Sequence, residues 1–581
     1  MRSDGYSFGS MPEETTKTTD CRICGGTADL AYPGTIDVAG SAAMAPSNHE
    51  SRIYCDLFRC RDCGTVIQPS LPAGGDLHDL YRDMTDTSYL DEEAGRRATG
   101  DRLLDMIAKY KPGGRLLDVG CGHGLLLDQA KKAGYDTMGL ELSSANAAHA
   151  RDELGLDVRE VGLEDFLDEQ GFDVVVLADV IEHLTDPVSA IDHCKRLLAP
   201  GGVLCIVTPD PSARLARLAR GNWWGFVPAH TFLLPRLTLA ELLSATGLVI
   251  SENKDLVRTF AFSYWINGLA DRGFPFSILR PIGKSPLGRR MVSLPLGDEV
   301  VILAHNVAVQ VTGKPLMTDR GGDLKVHVVL PAYNAAKTLP LVAKEIPADK
   351  ADRGLVVDDH GPDDTVQVAL DEGFDVLRHP KNRGYGANQK TCYSRAALDG
   401  ADVVVMVHAD NQYDPSLLAE MVQPIAEGRA DCVIGSRMLD DRAISGGMPR
   451  WKWVGNKFLT WCENTAFRRD YSEYHTGYRA FSVDCLNKIA FLRNDDEFVF
   501  DQEIFAQLTA SGARVVEIAI PTRYFLEASS VSFRTSVKYG LKTLRVLYRF
   551  RRDERKRDWA VLRPPAAKLR AERLSDPASR S

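Results

Sequence analysis

The sequence predicts an α/β protein in which two tandem parallel-sheet units follow a small cysteine-rich module. Three observations carry that prediction. Apolar runs at 115–119, 137–140, 173–177 and 203–207 alternate with helical stretches, the pattern of a parallel sheet covered by helices on both faces. The alternation resumes at 325–330, 354–357 and 402–407, beyond a hydrophilic stretch at 312–324 that holds Pro315 and Gly321-Gly322 and reads as a linker. Ahead of both units, Cys21-x-x-Cys24 and Cys60-x-x-Cys63 have the spacing of metal knuckles. With 581 residues, 44% of them hydrophobic, the chain has room for about four domain-equivalents of about 150 residues each.

Charge and hydropathy then exclude some classes. A formal net charge of -9 speaks against a protein that coats nucleic acid, because phosphate binding needs a dominant basic face. No nucleic-acid partner is expected. The chain does not open with a charged segment followed by an apolar one, and no apolar run reaches about 18 residues, so a cytoplasmic protein is expected. The expected order is a disordered polar leader at 1–19, the metal module at 20–75, the first α/β unit at 76–312, a linker at 313–324, the second unit at 325–552 and a basic, polar tail at 553–581.

Of the twelve cysteines, seven are scattered singly as buried thiols would be, and five cluster near the start. Cys21, Cys24, Cys60 and Cys63 supply the four sulfurs of a tetrahedral structural zinc site, with Gly25 and Gly64 suited to the turns that follow. A redox pair or unrelated thiols are the competing readings, since the 35 residues between the pairs exceed the usual spacing of roughly 15–20. Cys55 is read as a non-ligand. Four thiolates leave no open coordination position, so this metal would hold the fold and do no chemistry.

In the first unit, Leu116-Leu117-Asp118-Val119 is a buried strand ending beside a glycine turn, where Gly120, Gly122 and Gly124 let the backbone approach a ligand at a helix N-terminus. About 20 residues on, the next strand ends in Glu141, suited to accept both hydroxyls of a ribose. Three further segments support the pattern: Leu163-Glu164-Asp165, Ala178-Asp179-Val180-Ile181-Glu182-His183-Leu184 and Leu198-Ala199-Pro200-Gly201-Gly202. Together they resemble the Rossmann-like class I S-adenosylmethionine-dependent methyltransferases, and the preceding zinc ribbon resembles that of members acting on sugar nucleotides and related small molecules. The resemblance implies that Asp118, Gly120, Gly122 and Gly124 line the amino-acid end of S-adenosyl-L-methionine, that Glu141 holds its ribose, and that Leu163, Glu164 and Ala178 lie near the donor. Methyl transfer needs alignment of donor and acceptor and, for some acceptors, a base; His183 and His230 are the candidates, with a capping or core role as the alternative for each. His230 sits in an aromatic stretch from Trp223-Trp224-Gly225-Phe226 to Phe232 that can wall a pocket.

The second unit opens with Val328-Val329-Leu330-Pro331-Ala332-Tyr333-Asn334, a strand entering a turn. It continues through Val356-Val357-Asp358-Asp359, Asn382-Arg383-Gly384-Tyr385-Gly386-Ala387-Asn388, His408-Ala409-Asp410-Asn411-Gln412, Gly435-Ser436-Arg437, Thr476-Gly477-Tyr478-Arg479 and Phe500-Asp501-Gln502-Glu503. That order resembles the family 2 glycosyltransferases of the GT-A fold, particularly the polyprenyl-phosphate sugar transferase branch. The resemblance implies a nucleotide-sugar donor held by Pro331, Tyr333, Asp358, Asp359, Asn382, Gly384 and Asp410. A divalent cation, magnesium or manganese, would neutralise the leaving diphosphate, held by Asp410 and Gln412 next to His408. Asp501 or Glu503 is the candidate base for a hydroxyl acceptor, whereas an ionised phosphate acceptor needs none. The chain departs from the family at His408, where the usual first acid of D-x-D would stand, and at His360-Gly361, where Gly-Ser is usual.

Near the C-terminus, Val537, Leu541, Leu544 and Leu547, with Val546 and Phe550, recur at helical spacing ahead of a basic run at 549–557. Two readings stand: a basic amphipathic helix in peripheral contact with the inner membrane face, or a helix packed on the second unit. The sequence thus predicts a bifunctional methyltransferase and glycosyltransferase serving a small-molecule, glycan or polyprenyl-phosphate acceptor. The opposing reading makes the first unit a donor-free scaffold.

Overall fold

The structure is a computed structural model that describes residues 17–36, 54–69, 81–82, 90, 92–271, 284–440, 443–444, 448–521, 533–553 and 558–569. Most of the leader, part of the cysteine module and the last twelve residues lie outside the described residues.

The cysteine module is a small antiparallel sheet. Strands β1 (Thr18–Asp20), β2 (Thr27–Tyr32), β3 (Leu57–Cys60) and β4 (Val66–Ile67) pair in sequence, and β4 also pairs with β10 (Phe232–Leu233) of the unit that follows. Both knuckles close in the same way: Gly25 N–H donates to Cys21 O (2.8 Å) and Gly64 N–H to Cys60 O (3.1 Å), with φ of +74° and +75° at the two glycines. A Cβ residue is strained at that φ, which is why glycine follows each Cys-x-x-Cys.

The first α/β unit holds a seven-stranded sheet of β5 (Gly114–Val119), β6 (Tyr135–Leu140), β7 (Val158–Arg159), β8 (Phe172–Ala178), β9 (Leu198–Pro209), β11 (Val249–Asp255) and β14 (Glu299–His305), in the spatial order β11-β14-β9-β8-β5-β6-β7. Strands β5 to β9 are parallel, while β14 runs antiparallel to both of its neighbours. Leu116, Leu117, Val174, Val175, Val176 and Leu177 are fully buried because helices cover both faces, so these strands are continuous apolar runs without alternation. A two-stranded antiparallel ribbon of β12 (Arg258–Ala261) and β13 (Met291–Leu294) stands apart from the sheet.

The second unit has seven strands, β15 (Val326–Ala332), β16 (Arg353–Asp358), β17 (Asp375–Arg378), β18 (Val403–Met406), β19 (Cys432–Ser436), β20 (Arg479–Ser482) and β21 (Val515–Ala519), ordered β17-β16-β15-β18-β20-β19-β21. Strand β20 runs antiparallel to both of its neighbours, and that reversal sets Thr476-Gly477-Tyr478 beside the end of β18.

Two segments differ from their expected character. The stretch 312–324 is packed onto the second unit and does not hang free: Gln310 bridges Val376, Thr312 N–H donates to Asp375 (3.0 Å), and Met317 is buried in the core. The polar tail likewise returns to the protein over 558–569, where Trp559, Val561, Leu562, Ala566 and Leu569 are buried. Their apolar residues are too irregularly spaced to display a period, so only the surface that receives them reveals the packing. For the tail, that surface is the joint between the units. Leu239, Leu242 and Leu243 of the helix Arg236–Ala245 share one core with Tyr393 and Ala396 of the helix Tyr385–Leu398. Within it Arg493 Nε donates to Glu241 (2.6 Å), both side chains being 1% exposed, and Ala566 N–H donates to the same carboxylate (2.8 Å).

The helix Phe533–Asp553 divides the apolar set read from the sequence. Val546, Leu547 and Phe550 are buried, while Val537, Leu541 and Leu544 are exposed.

Candidate active sites

The four ribbon thiols converge. Cys21, Cys24, Cys60 and Cys63 offer sulfurs within 4.8 Å of one another, with Cys21 Sγ 3.6 Å from Cys63 Sγ and Cys24 Sγ 3.4 Å from Cys60 Sγ. A tetrahedral zinc at about 2.3 Å from each sulfur needs separations of about 3.8 Å, so the cluster fits the metal. Cys55 lies outside it and packs with Ala229.

The first sheet gathers its polar residues at the C-terminal ends of β5, β6 and β8, the side on which open α/β sheets bind ligands. Gly120, Gly122 and Gly124 all have positive φ, between 55° and 81°. A Cβ at Gly120 would stand 2.7 Å from Val180, and one at Gly124 2.7 Å from Leu156, whereas Gly122 faces open space. Glu141 clamps this turn: it accepts from Gly122 N–H (2.8 Å) and Ser143 N–H (2.7 Å). Burial, reinforced by the neighbouring Glu141 charge, pushes the Asp118 carboxyl up to about 7. Leu163 is buried in a short turn, Glu164 is exposed, and Ala178 closes β8 half-buried.

The turn Ile181–His183 after β8 brings the two candidate bases together with a third group. The His183 and His230 ring centroids are 4.8 Å apart. His183 Nδ1 lies 2.8 Å from Tyr81 Oη and 3.0 Å from Ala229 O; His230 Nδ1 lies 2.7 Å from Gly225 O. Burial lowers the pKa of both rings, that of His230 to about 3 with a contribution from His183. Burial and the Asp179 charge hold Glu182 well above the usual carboxylate range. The aromatic stretch is mainly core, not pocket wall, because Trp223, Phe226 and Phe232 are buried and the Trp223 and Trp224 indoles both donate to Asp298.

In the second sheet the corresponding clamp is Asp359. Its carboxylate accepts from Arg383 N–H (2.8 Å), Gly384 N–H (2.8 Å) and the His379 ring (2.7 Å), ordering the loop that carries Asn382. Asp358, at the end of β16, accepts from Gly361 N–H (3.2 Å) and pairs with Arg378 (3.2 Å); burial raises its pKa. Pro331 is half-buried and Tyr333 exposed on the same edge. Asp410 accepts from Gln412 N–H (3.1 Å) across Asn411, whose φ is 59°. The His408 ring fills the space over Gly477, where any Cβ would collide with it, and its Nε2 lies 3.2 Å from Tyr385 Oη. Asp501 accepts from the fully buried Arg479 (2.7 Å) and from Gln389 (3.1 Å). Glu503, two residues on and so roughly 200° around the helix, accepts from Asp495 N–H (2.6 Å); burial pushes it up to about 7.

A family described as a methyltransferase domain matches residues 90–253, and glycosyl transferase family 2 matches residues 327–487. The chain belongs to both families, one in each half. Over 223 residues it is 31% identical to the uncharacterized protein MJ1222 of Methanocaldococcus jannaschii, a match covering 38% of this chain and 89% of that one. It is 25% identical to a UDP-N-acetylglucosamine–dolichyl-phosphate N-acetylglucosaminyltransferase of Methanococcus voltae, covering 38% and 93%. It is 31% identical to a ubiquinone biosynthesis O-methyltransferase of Rhodopseudomonas palustris, covering 27% of this chain and 64% of that protein's length.

The methyltransferase domain holds groups that sequence reasoning passed over. Glu182 stood in a quoted motif, and Tyr81 and Gln68 had no signal at all because they reach the site only through folding. Gln68 of the ribbon donates to Val227 O (2.8 Å) and His230 O (2.7 Å), so the cysteine module braces the His230 loop. In the glycosyltransferase domain His379, Arg479 and Tyr385 were likewise missed, although the last two lay inside segments that carried the resemblance.

Proposed function

We propose that the chain is a bifunctional transferase that builds a glycan or glycosylated metabolite. One domain moves a methyl group from S-adenosyl-L-methionine to a small molecule or sugar; the other moves a sugar from a nucleotide sugar to a small-molecule, glycan or polyprenyl-phosphate acceptor. The observation that carries this is that each sheet has a strand-end carboxylate that holds a loop by backbone N–H groups, Glu141 the glycine turn at Gly122 and its own turn at Ser143, and Asp359 a loop at Arg383 and Gly384. Such preformed loops align a donor without reorganisation.

In the methyltransferase, Asp118 and the glycine turn would receive the donor's ammonium end, Glu141 its ribose, and Leu163 and Glu164 its adenine. His183 and His230 are positioned for the acceptor. In the glycosyltransferase, Asp358 and Asp359 would receive the nucleoside, with Pro331, Tyr333, Asn382 and Gly384 around it. Asp410 and Gln412 offer hard oxygen donors beside His408, a set that fits a divalent cation sharing its remaining positions with the donor diphosphate. That cation would neutralise the leaving diphosphate when bound. Asp501 is the candidate base for a hydroxyl, aligned by Arg479.

A lipid-phosphate acceptor is supported by the Methanococcus voltae relative, whose name states transfer to dolichyl phosphate. It is supported too by an exposed face on which Val454, Phe458, Trp461, Leu541, Leu544 and Tyr548 stand next to the exposed Lys538, Arg545 and Arg549. Among the described residues no helix is long and apolar enough to cross a membrane, so such contact would be peripheral.

The test is transfer of label from S-adenosyl-L-methionine and from nucleotide sugars to candidate acceptors, repeated with Gly124→Ala and Asp410→Asn. Loss of methyl transfer alone in the first and of sugar transfer alone in the second is expected. Calorimetry answers the scaffold reading, since a methyltransferase domain that binds no donor would be one.

A further inference from the structure

We infer that Glu182, His183 and His230 form a second metal centre, a three-ligand site for a divalent first-row cation at the ligand end of β8, distinct from the four-cysteine cluster. The inference rests on the reading that this domain binds S-adenosyl-L-methionine, and gives its two histidines a role other than that of free bases.

Geometry comes first. One ligand atom from each of the three residues lies within 4.8 Å of the other two. An ion at about 2.1 Å from each ligand needs separations of about 3–4 Å, which small side-chain rotations supply. Nδ1 of each ring lies beside a backbone carbonyl, Ala229 O for His183 and Gly225 O for His230, with Tyr81 Oη also 2.8 Å from His183 Nδ1. A ring that donates through Nδ1 carries its lone pair on Nε2, the tautomer that metal-binding histidines adopt when a carbonyl holds their other nitrogen.

The third ligand is a buried acceptor with spare capacity. Glu182 is 1% exposed; Oε2 accepts from Thr208 Oγ (3.0 Å), and Oε1 has no hydrogen-bond partner among the described residues. A buried carboxylate oxygen left unpaired is unfavourable, and a cation between it and the two imidazoles gives it a partner. The surroundings hold the three residues in place. Thr231 Oγ donates to Glu182 O (3.1 Å) and Leu184 O (2.6 Å), and Gln68 of the ribbon holds His230 O. The ribbon therefore stiffens the site without entering it.

One carboxylate and two imidazoles suit manganese, iron, cobalt or zinc better than magnesium or calcium, and three protein ligands leave open positions. The ligand class for these positions is an acceptor hydroxyl. Tyr81 flanks the cluster, its hydroxyl 2.8 Å from His183 Nδ1. Polarised by the cation, the acceptor O–H would release its proton to solvent. The oxygen lone pair would then form the O–CH3 bond as the C–S bond breaks, and its electron pair would stay on sulfur as a neutral thioether.

The experiment uses the full chain carrying Asp410→Asn, which removes the glycosyltransferase cation. Titration with Mn2+ should reveal one exchangeable site per chain, weakened at least about tenfold by Glu182→Gln and by His230→Asn, while S-adenosyl-L-methionine affinity and ribbon zinc content stay unchanged. If S-adenosyl-L-methionine binds but Mn2+ does not, or if Mn2+ binds equally to the parent and both variants, the metal centre is overturned. If Mn2+ binds and S-adenosyl-L-methionine does not, the centre stands and the donor reading falls. Should one variant lose its ribbon zinc, and so its fold, the other carries the comparison.

Discussion

The two donor cradles solve one problem with different backbone chemistry. In both, a carboxylate just beyond a strand accepts two backbone N–H groups: Glu141 from Gly122 of the glycine turn and from its own neighbour Ser143, Asp359 from Arg383 and Gly384 of one loop. In the first, the left-handed positions of the loop are glycines, at 120, 122 and 124. In the second the clamped loop also turns at a glycine, Gly384 (φ 97°), while the neighbouring loops have Asn334, His360 and Asn411 in the left-handed region, with φ of 55°, 60° and 59°. Glycine takes that conformation without strain, whereas Asn and His are the side chains most often found there at some cost. The glycine turn of the methyltransferase cradle is thus shaped by its main chain, with Asp179 (φ 58°) after β8 the left-handed side chain beside it. The glycosyltransferase cradle has side chains at three of its bends, and so can place polar groups against its ligand.

Four experiments would break or sharpen this contrast. The largest effect is expected at Gly477, because an alanine there displaces His408 from its packed position. Overpacking of about 1–3 kcal/mol would lower sugar transfer by about 5- to 150-fold, and assays of both transfers should find methyl transfer unchanged. Gly124→Ala comes next: φ is +81°, and the new methyl meets Leu156 at 2.7 Å. A loss of S-adenosyl-L-methionine affinity of about tenfold or more is expected by calorimetry, given strain of about 1–3 kcal/mol, while nucleotide-sugar affinity holds.

The third effect is a pH dependence confined to the methyltransferase half. Asp118, with its carboxyl raised to about 7, stays protonated when folded while its unfolded counterpart ionises near 4. The raised value favours the fold below the unfolded pKa, and that contribution is lost as pH climbs to about 7. A cationic donor reverses the sign, since it prefers the ionised form. Donor affinity should therefore rise with pH up to about 7 and then level, and Asp118→Asn should flatten the profile. A wild-type affinity indifferent to pH in that range would remove Asp118 from the donor site. The smallest effect is expected for His360→Gly, which relieves the left-handed φ and should raise stability by about 1 kcal/mol or less, read from thermal unfolding.

Much of the site was legible in the chain because short-range geometry builds it. Gly120, Gly122 and Gly124, Glu141, Asp358 and Asp359 sit at fixed offsets from strand ends, so period and spacing alone bring them to one edge of a sheet. The paired knuckles of Cys21, Cys24, Cys60 and Cys63 are legible for the same reason. Glu182 stood in view but had no visible partner, because His230 lies 48 residues further along and reaches it through the loop after β9. Tyr81 and Gln68 carry no local signal at all. The packing of the tail is hidden for a related reason: Trp559 and Leu569 are buried by a surface that neither the tail nor its neighbours in sequence contain.

The sequence by itself determined the classes of the domains, their order and the donor-side loops, because strand period, glycine placement and cysteine spacing are local properties of the chain. Tertiary structure alone decided how the pieces combine: one core across both domains, the Glu241–Arg493 pair sealed within it, the ribbon braced against His230, and a carboxylate and two imidazoles within ligand distance of one another. Each of these joins residues far apart in sequence, and only burial of the surfaces between them makes their meeting favourable.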